Sequence, residues 1–259
     1  MWSELGSLLP GGAMRIAPWI FLSTCFLLGF CSLSYEFMLA QMMSLLEGHT
    51  VFYYCLTMGF YIFALGMGTL HSPRESTEGK TLRTLVQIEI GLAFLGGLAP
   101  FLMGLSQNIA LMSSQGSLWA LGSCLGLVLS IGWLTGRELP LLMQLAQEQG
   151  MKGPVLPLLG VDYIASFAGA LAFPLWIFPR WGMVEAGLVL AGLNLIGALL
   201  VNRSVELKFW RWSTVACLVL VILAIYQAET LERYLSESLL HREAEQVKVS
   251  PSLQNIFHG

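Results

Sequence analysis

The stretch Gly29-Phe-Cys-Ser-Leu-Ser-Tyr-Glu-Phe-Met-Leu-Ala-Gln-Met-Met43 places one carboxylate, Glu36, inside an apolar run that begins near Ile16. An apolar run of about 20 residues is long enough for a helix to cross a bilayer. The stretch therefore predicts a transmembrane helix, and it raises the question of why that helix contains an acid.

The composition of the whole chain is that of a membrane protein. Hydrophobic residues make up 56% of its 259 residues and charged residues only 11%, whereas soluble domains carry about 25% charged residues. The five cysteines lie singly in apolar runs, so no metal site, haem attachment or disulfide framework is predicted. No cofactor is expected, and the few basic residues form no patch that would bind nucleic acid.

Hydropathy predicts an all-α membrane protein, a bundle of about seven transmembrane helices. This domain covers 16–226, after a short N-terminal segment at 1–15 and before a C-terminal amphipathic helix and tail at 227–259. In the tail, Leu231, Leu235 and Leu239 repeat every four residues, which is typical of one apolar helix face. The predicted spans are 16–42, 51–70, 82–105, 117–136, 155–178, 182–201 and 209–226.

The distribution of Lys and Arg predicts the orientation. Nine of them lie in the N-terminal segment and in the loops after the second, fourth and sixth spans, and only Arg180 lies in the loops between. Because positive loops stay in the cytoplasm, we expect an integral inner (plasma) membrane protein with a cytoplasmic N-terminus. Seven spans would then put the C-terminus on the opposite side.

Several acids fall within or beside the predicted spans, and no Lys or Arg lies in the middle of one. A charge in the bilayer centre costs a few kcal/mol, so such residues face protein or water and suggest function. We expect an intramembrane site for protons, cations or organic amines, although a neutral acid that hydrogen-bonds a neighbouring helix remains an alternative. The candidate residues are Glu36, Tyr35, Glu89, Glu138, Asp162, Tyr163 and Glu185.

Small residues predict close helix packing. Gly122 and Gly126 form a GxxxG motif, and Ala165 and Gly169 repeat the same spacing in the fifth span. A few residues also match at a constant offset of 102, among them Glu36 with Glu138. Such an offset would relate spans of opposite direction, as in the inverted repeats of transporters.

Five motifs in order resemble the multi-pass region of membrane-bound spermidine synthase-like proteins. They are Gly29-Phe-Cys-Ser-Leu-Ser-Tyr-Glu36, Gly48-His-Thr-Val51, Ala64-Leu-Gly-Met-Gly68, Gly136-Arg-Glu-Leu-Pro-Leu-Leu142 and Asp162-Tyr-Ile-Ala-Ser-Phe-Ala-Gly169. The resemblance implies that a soluble aminopropyltransferase domain follows the helices. The tail from Glu243 to Ile256 resembles the lead-in to that domain.

The sequence lacks a glycine-rich nucleotide loop on an alternating strand and helix pattern, and Asp162 is its only aspartate. We therefore expect that this chain is not an enzyme. The preferred hypothesis is a non-catalytic membrane subunit that acts as a scaffold or anchor in a larger complex with other membrane proteins. The alternatives are a transporter for a cation or polyamine that uses the intramembrane carboxylates, and a membrane anchor for a separate aminopropyltransferase chain.

Overall fold

The computed structural model is helical in the part of the chain that it describes, residues 17–48, 50–72, 80–110, 116–151, 153–202 and 211–227. This confirms the all-α prediction for those residues. A π-helical turn at Phe173–Ile177 joins the sixth and seventh helices. The helices are α1 Pro18–Glu47, α2 Thr50–Leu70, α3 Lys80–Ala110, α4 Gly116–Thr135, α5 Glu138–Glu148, α6 Val155–Ala172, α7 Phe178–Asn202 and α8 Arg211–Gln227.

The described residues form six apolar helical elements rather than the predicted seven. Five are long and apolar enough to cross a membrane, and α8 is a shorter apolar helix. The count of seven was wrong because the spans expected at 155–178 and 182–201 are continuous in one 48-residue element, Val155–Asn202, which turns at Gly182. The segment expected to be a loop between them, 179–182, stays helical except at Gly182.

Gly182 is the point at which this long element changes direction. Its φ of 69° and ψ of −167° lie outside the helical region, in a conformation that glycine adopts without a steric cost. Contacts with α1 show the direction of each half. Along α6 the contacts advance with α1, from Asp162 beside Gly29 to Gly169 beside Phe30. Along α7 they go backwards, from Leu190 at Cys31 to Gly197 at Leu28. Hence α6 runs parallel to α1 and α7 runs antiparallel to it.

Helix α1 lies at the centre of the bundle. It begins with Pro18, whose missing N–H is one that a helix start leaves unbonded in any case. It ends at Gly48 in the left-handed conformation, φ 76°, where the Gly48 N–H donates to the Ser44 carbonyl at 3.1 Å. Its 30 residues span about 45 Å. It packs against α2, α3, α6 and α7, with smaller contacts to α4 and α5.

Glycines let two further helix pairs meet backbone to backbone. In the parallel pair of α2 and α4, a Cβ on Gly68 would collide with the Trp133 carbonyl, and one on Gly136 with the Leu65 carbonyl. In the antiparallel pair of α3 and α7, a Cβ on Gly97 would lie 2.9 Å from the Ala191 Cβ. Such approach is the usual source of helix association in lipid, where the hydrophobic effect between helices is weak.

The glycines and alanine predicted to pack helices differ in their surroundings. Ala165 is buried against Gly29, and a Cβ on Gly169 would collide with the Phe30 carbonyl. At Gly122 and Gly126 an added Cβ would meet no atom within 4 Å. The GxxxG motif of α4 therefore faces away from the described helices, and packing at those two glycines stays a prediction.

Helix α5 was not predicted as a separate element. It is 11 residues long and is separated from α4 by a turn at Gly136 and Arg137. Pro140 lies in its first turn, where the missing N–H costs no helical hydrogen bond. Because α5 contacts α1, α3 and α6, this turn directs its first residue, Glu138, towards the centre of the bundle.

Large apolar side chains cover the outer surface, as expected for helices that face lipid. The most exposed include Trp119 at 75% and Leu156 at 80%. The N-terminal segment at 1–15 and the amphipathic helix expected from about residue 227 to 246 lie outside the described residues, apart from residue 227 itself.

We expect Gly132→Ala to destabilise the bundle. A Cβ at Gly132 would lie 2.8 Å from the Tyr61 carbonyl oxygen on α2, and overpacking of this kind costs about 1–3 kcal/mol. The measurement is the melting temperature in mild detergent. Gly126→Ala, on the same helix with open space around it, is the matched control and should leave the melting temperature unchanged or raise it. Equal losses in the two variants would contradict the α2–α4 contact.

Candidate functional site

Glu138 occupies the centre of a group of buried acids. It is 4% exposed and lies in the first turn of α5, where the unpaired N–H groups of a helix start favour negative charge. Its charged neighbours among the described residues are Glu89 on α3 and Asp162 on α6. Three helices thus bring three acids together, and we call Glu89, Glu138 and Asp162 the acidic cluster.

Glu89 is the most deeply buried member of the acidic cluster. It is 0% exposed, and no amide, hydroxyl or basic group donates a hydrogen bond to either of its carboxyl oxygens. Its carboxyl group lies close enough to that of Glu138 for the two to share a proton in a hydrogen bond. Buried polar groups are satisfied in the great majority of cases, and for Glu89 the other acid is that partner.

Tyr35 lies against the same cluster from α1. Its ring packs on the backbone of α3 at Gly96, where a Cβ would lie 2.6 Å from the ring. The hydroxyl is buried and has no hydrogen-bond partner, although Glu138 and Glu89 are among its neighbours. An unpartnered hydroxyl therefore lies in the same region of the bundle as the acidic cluster.

Asp162 connects the cluster to a cavity of about 300 Å³. The aspartate is half-buried, and it lies beside Gly29, where a Cβ would come within 2.6 Å of its carboxyl oxygen. Glu138 lines the same cavity from the opposite helix. Other lining residues are Cys25, Ser32, Leu65, Thr69, Thr135 and Met143.

The other candidate residues lie apart from the acidic cluster. Glu36 is buried on α1 with Tyr54 and Tyr61 as neighbours. Tyr163 is 66% exposed on the outer surface, and Glu185 is half-buried on α7. The structure thus groups Tyr35, Glu89, Glu138 and Asp162, and it does not bring Tyr163 or Glu185 to them.

Sequence reasoning missed the hydroxyl group of Tyr61, which connects α1 and α4. The Tyr61 hydroxyl lies 3.0 Å from the Ser32 carbonyl and 3.2 Å from the Thr135 hydroxyl, so it bonds groups on both α1 and α4. Both Ser32 and Thr135 line the cavity. A tyrosine in the middle of an apolar span was the available signal, because a buried phenol usually requires an acceptor.

The chemistry of this arrangement is that of an acceptor for a cation or a proton. An isolated charged carboxylate in apolar surroundings is costly unless it is paired or protonated. The basic residue next in sequence, Arg137, stacks its guanidinium on the Trp133 ring at 4.8 Å from the centroid. Its buried Nε atom has no partner. The charged groups that act on Glu138 are the acids Glu89 and Asp162.

Two buried tyrosines provide a test of these hydrogen-bond assignments. Tyr61→Phe removes a hydroxyl that is bonded to Ser32 and Thr135 and should destabilise the protein by about 1 kcal/mol. Tyr35→Phe removes an unpartnered hydroxyl of equal burial and should leave the melting temperature in detergent unchanged or higher. Equal losses for the two variants would show that the Tyr35 hydroxyl has a protein partner.

Comparison with known proteins gives relatives of one kind. The chain is 34% identical over 165 residues to polyamine aminopropyltransferase 2 of Streptomyces coelicolor. It is 28% identical over 215 residues to polyamine aminopropyltransferase of Leptospira interrogans, and 30% identical over 169 residues to polyamine aminopropyltransferase 1 of Streptomyces coelicolor. No family model matches the chain, and no solved structure matches it.

The matches cover much of this chain and a minor part of each relative. They include 61%, 81% and 63% of this chain, but 29%, 41% and 30% of the respective relatives. The expectation that this chain is not an enzyme is corrected by these findings, because the relatives carry the names of enzymes. That expectation was based on the absence of a nucleotide loop from a sequence that spans less than half of the relatives' length. Such an absence does not decide whether the protein is an enzyme.

The resemblance drawn from the motifs is confirmed: the chain is related to the polyamine aminopropyltransferases over a region that makes up about a third of those proteins.

Proposed function

We propose that this chain is the membrane module of a polyamine aminopropyltransferase and that it anchors aminopropyl transfer at a membrane. The observation that carries the proposal is the extent of similarity to the Leptospira relative, which includes 81% of this chain but 41% of that protein. A segment of that size must include most of the apolar helices described above. The remaining part of such a relative is then available for the transfer reaction.

The surface of the bundle supports an anchoring role. Five helices have the length and composition to cross a membrane, and exposed Leu, Ile, Phe and Trp side chains cover their outer faces. Soluble monomers rarely expose large contiguous apolar patches. A bilayer satisfies this surface without any further protein partner.

The packing directions support the proposed orientation. Helices α1 and α6 run parallel, as do α2 and α4, while α3 and α7 run antiparallel. This alternation agrees with the distribution of Lys and Arg, which favours a cytoplasmic N-terminus in the inner membrane. The anchored reaction would then depend on which side of the membrane the following segment occupies.

Membrane fractionation of cells that express the full-length protein tests the proposal. We expect the chain, detected by an N-terminal tag, to stay in the pellet after high-salt and alkaline carbonate washes and to be released by mild detergent. Aminopropyl transfer to a polyamine acceptor should be released with it and should be retained on the tag resin. Aminopropyl transfer in untreated membranes that does not follow the tagged chain onto the resin would contradict the anchoring role.

Mass spectrometry of the same eluate separates the two forms of anchoring. Activity with no second protein at equal amount would place the transferase on the same polypeptide. Activity that follows a stoichiometric second protein would make this chain the anchor of a separate transferase. An eluate that contains the chain with neither activity nor a transferase would overturn the proposal.

A further inference from the structure

We propose that the cavity between α1, α2, α5 and α6 is a binding site for a protonated organic amine, held by Glu138 and Asp162. The site itself rests on the geometry of the described residues. The choice of a polyamine as the amine rests on the proposed function, because the relatives are named for polyamines.

The first argument is charge. Glu138 and Asp162 line one cavity from two different helices, and the charged groups around Glu138 are themselves acids. An ammonium group presents three N–H donors and no acceptor. It therefore suits a cavity that carboxylates line from two separate helices, next to which the guanidinium of Arg137 is stacked on Trp133.

The second argument is independent of the acids that line the cavity. Tyr35 is 0% exposed, and its hydroxyl has no partner although it lies among the carboxyls of the acidic cluster. Glu89 has a partner only in Glu138, with which it can share a proton. A fully buried hydroxyl without a partner, next to Glu138, indicates that the protein's own groups do not complete the hydrogen bonds of the acidic cluster.

The size and lining of the cavity favour an amine with a carbon chain. A volume of about 300 Å³ lies at the lower end of the range for small-molecule sites. The acids share the wall with Leu28, Leu65, Leu139, Leu142 and Met143. Apolar side chains next to carboxylates match methylene groups next to ammonium groups.

A metal ion fits the same residues less well. Within the described ranges, no group of three or more His, Cys, Asp or Glu side chains is arranged to hold a metal. Mg²⁺ and Ca²⁺ require about six or more oxygen ligands at close to fixed distances. An ammonium group needs two or three acceptors and tolerates the apolar remainder of the wall.

The test is spermidine binding to the full-length protein in phosphatidylcholine nanodiscs, measured by titration with radiolabelled spermidine. Asp162→Asn keeps the shape of the half-buried side chain and removes its charge. Loss of one partner from a buried charged contact costs about 2 kcal/mol or more, which corresponds to at least about thirtyfold weaker binding. Glu138→Gln should weaken binding to a similar extent. A transferase site elsewhere in the protein would contribute binding that neither variant changes.

Glu148→Gln is the matched control, because it alters an exposed acid on the same helix as Glu138 and keeps an oxygen acceptor for the Thr81 hydroxyl. It should bind spermidine as the parent does, and Mg²⁺ at equal ionic strength should not displace the amine. Parent-like binding by Asp162→Asn, an equal loss in Glu148→Gln, displacement by Mg²⁺ or no binding by the parent would each overturn the assignment. Aminopropyl transfer is measured separately in the same preparations. Absence of amine binding would therefore leave the anchoring role intact, and absence of transfer activity would leave the amine site intact.

Discussion

The close approach of α1 and α6 is the contact on which both the fold and the acidic cluster depend. The two backbones meet at Gly169 and Phe30, and Gly29 leaves room for the Asp162 side chain, since a Cβ there would lie 2.6 Å from its carboxyl oxygen. In lipid, helices associate through such close packing more than through the hydrophobic effect. The glycine that allows the helices to meet is thus also the residue that admits an acid between them. One contact therefore fixes the direction of α6 and the position of Asp162.

Burial of the acids opposes the stability that this packing supplies. An Asp at the centre of a membrane helix costs about 2.5–3.5 kcal/mol on insertion scales, and three helices contribute one acid each to the cluster. The free N–H groups at the start of α5 stabilise a charge on Glu138, but typically by only about 0.3–1 kcal/mol. Glu89 can form a hydrogen bond with Glu138 only if one of the two carboxyl groups carries a proton. Protonation of the acids or a bound cation must therefore offset most of the free-energy cost of burying them.

Hydropathy and charge predicted the helical class and the acids themselves, because an apolar run and a carboxylate within it are both local features. Which acids meet depends on the direction of each helix and its rotation about its axis, and these are properties of the tertiary structure. Glu36 and Glu138 match in sequence, yet only Glu138 joins the cluster. Helix α5 is too short to give a transmembrane signal. A change of direction was predicted between the spans 155–178 and 182–201, but it is made at one glycine, Gly182, rather than by a loop. The GxxxG motif of α4 carries the same signal as Gly169, but a different rotation about the helix axis turns it outwards.

Membrane anchoring accounts for the apolar outer surface of the bundle but not for the acids in its interior. A membrane anchor needs long apolar helices and close packing between them, and Leu, Ala and Gly satisfy both requirements at lower cost than carboxylates do. The acidic cluster contributes nothing to insertion, since its members face the interior and Glu89 has no exposed surface. Selection for an anchor alone would thus favour apolar replacements at those positions. A function that needs negative charge at this depth accounts for the acids, and an amine site in the cavity beside Glu138 and Asp162 is such a function.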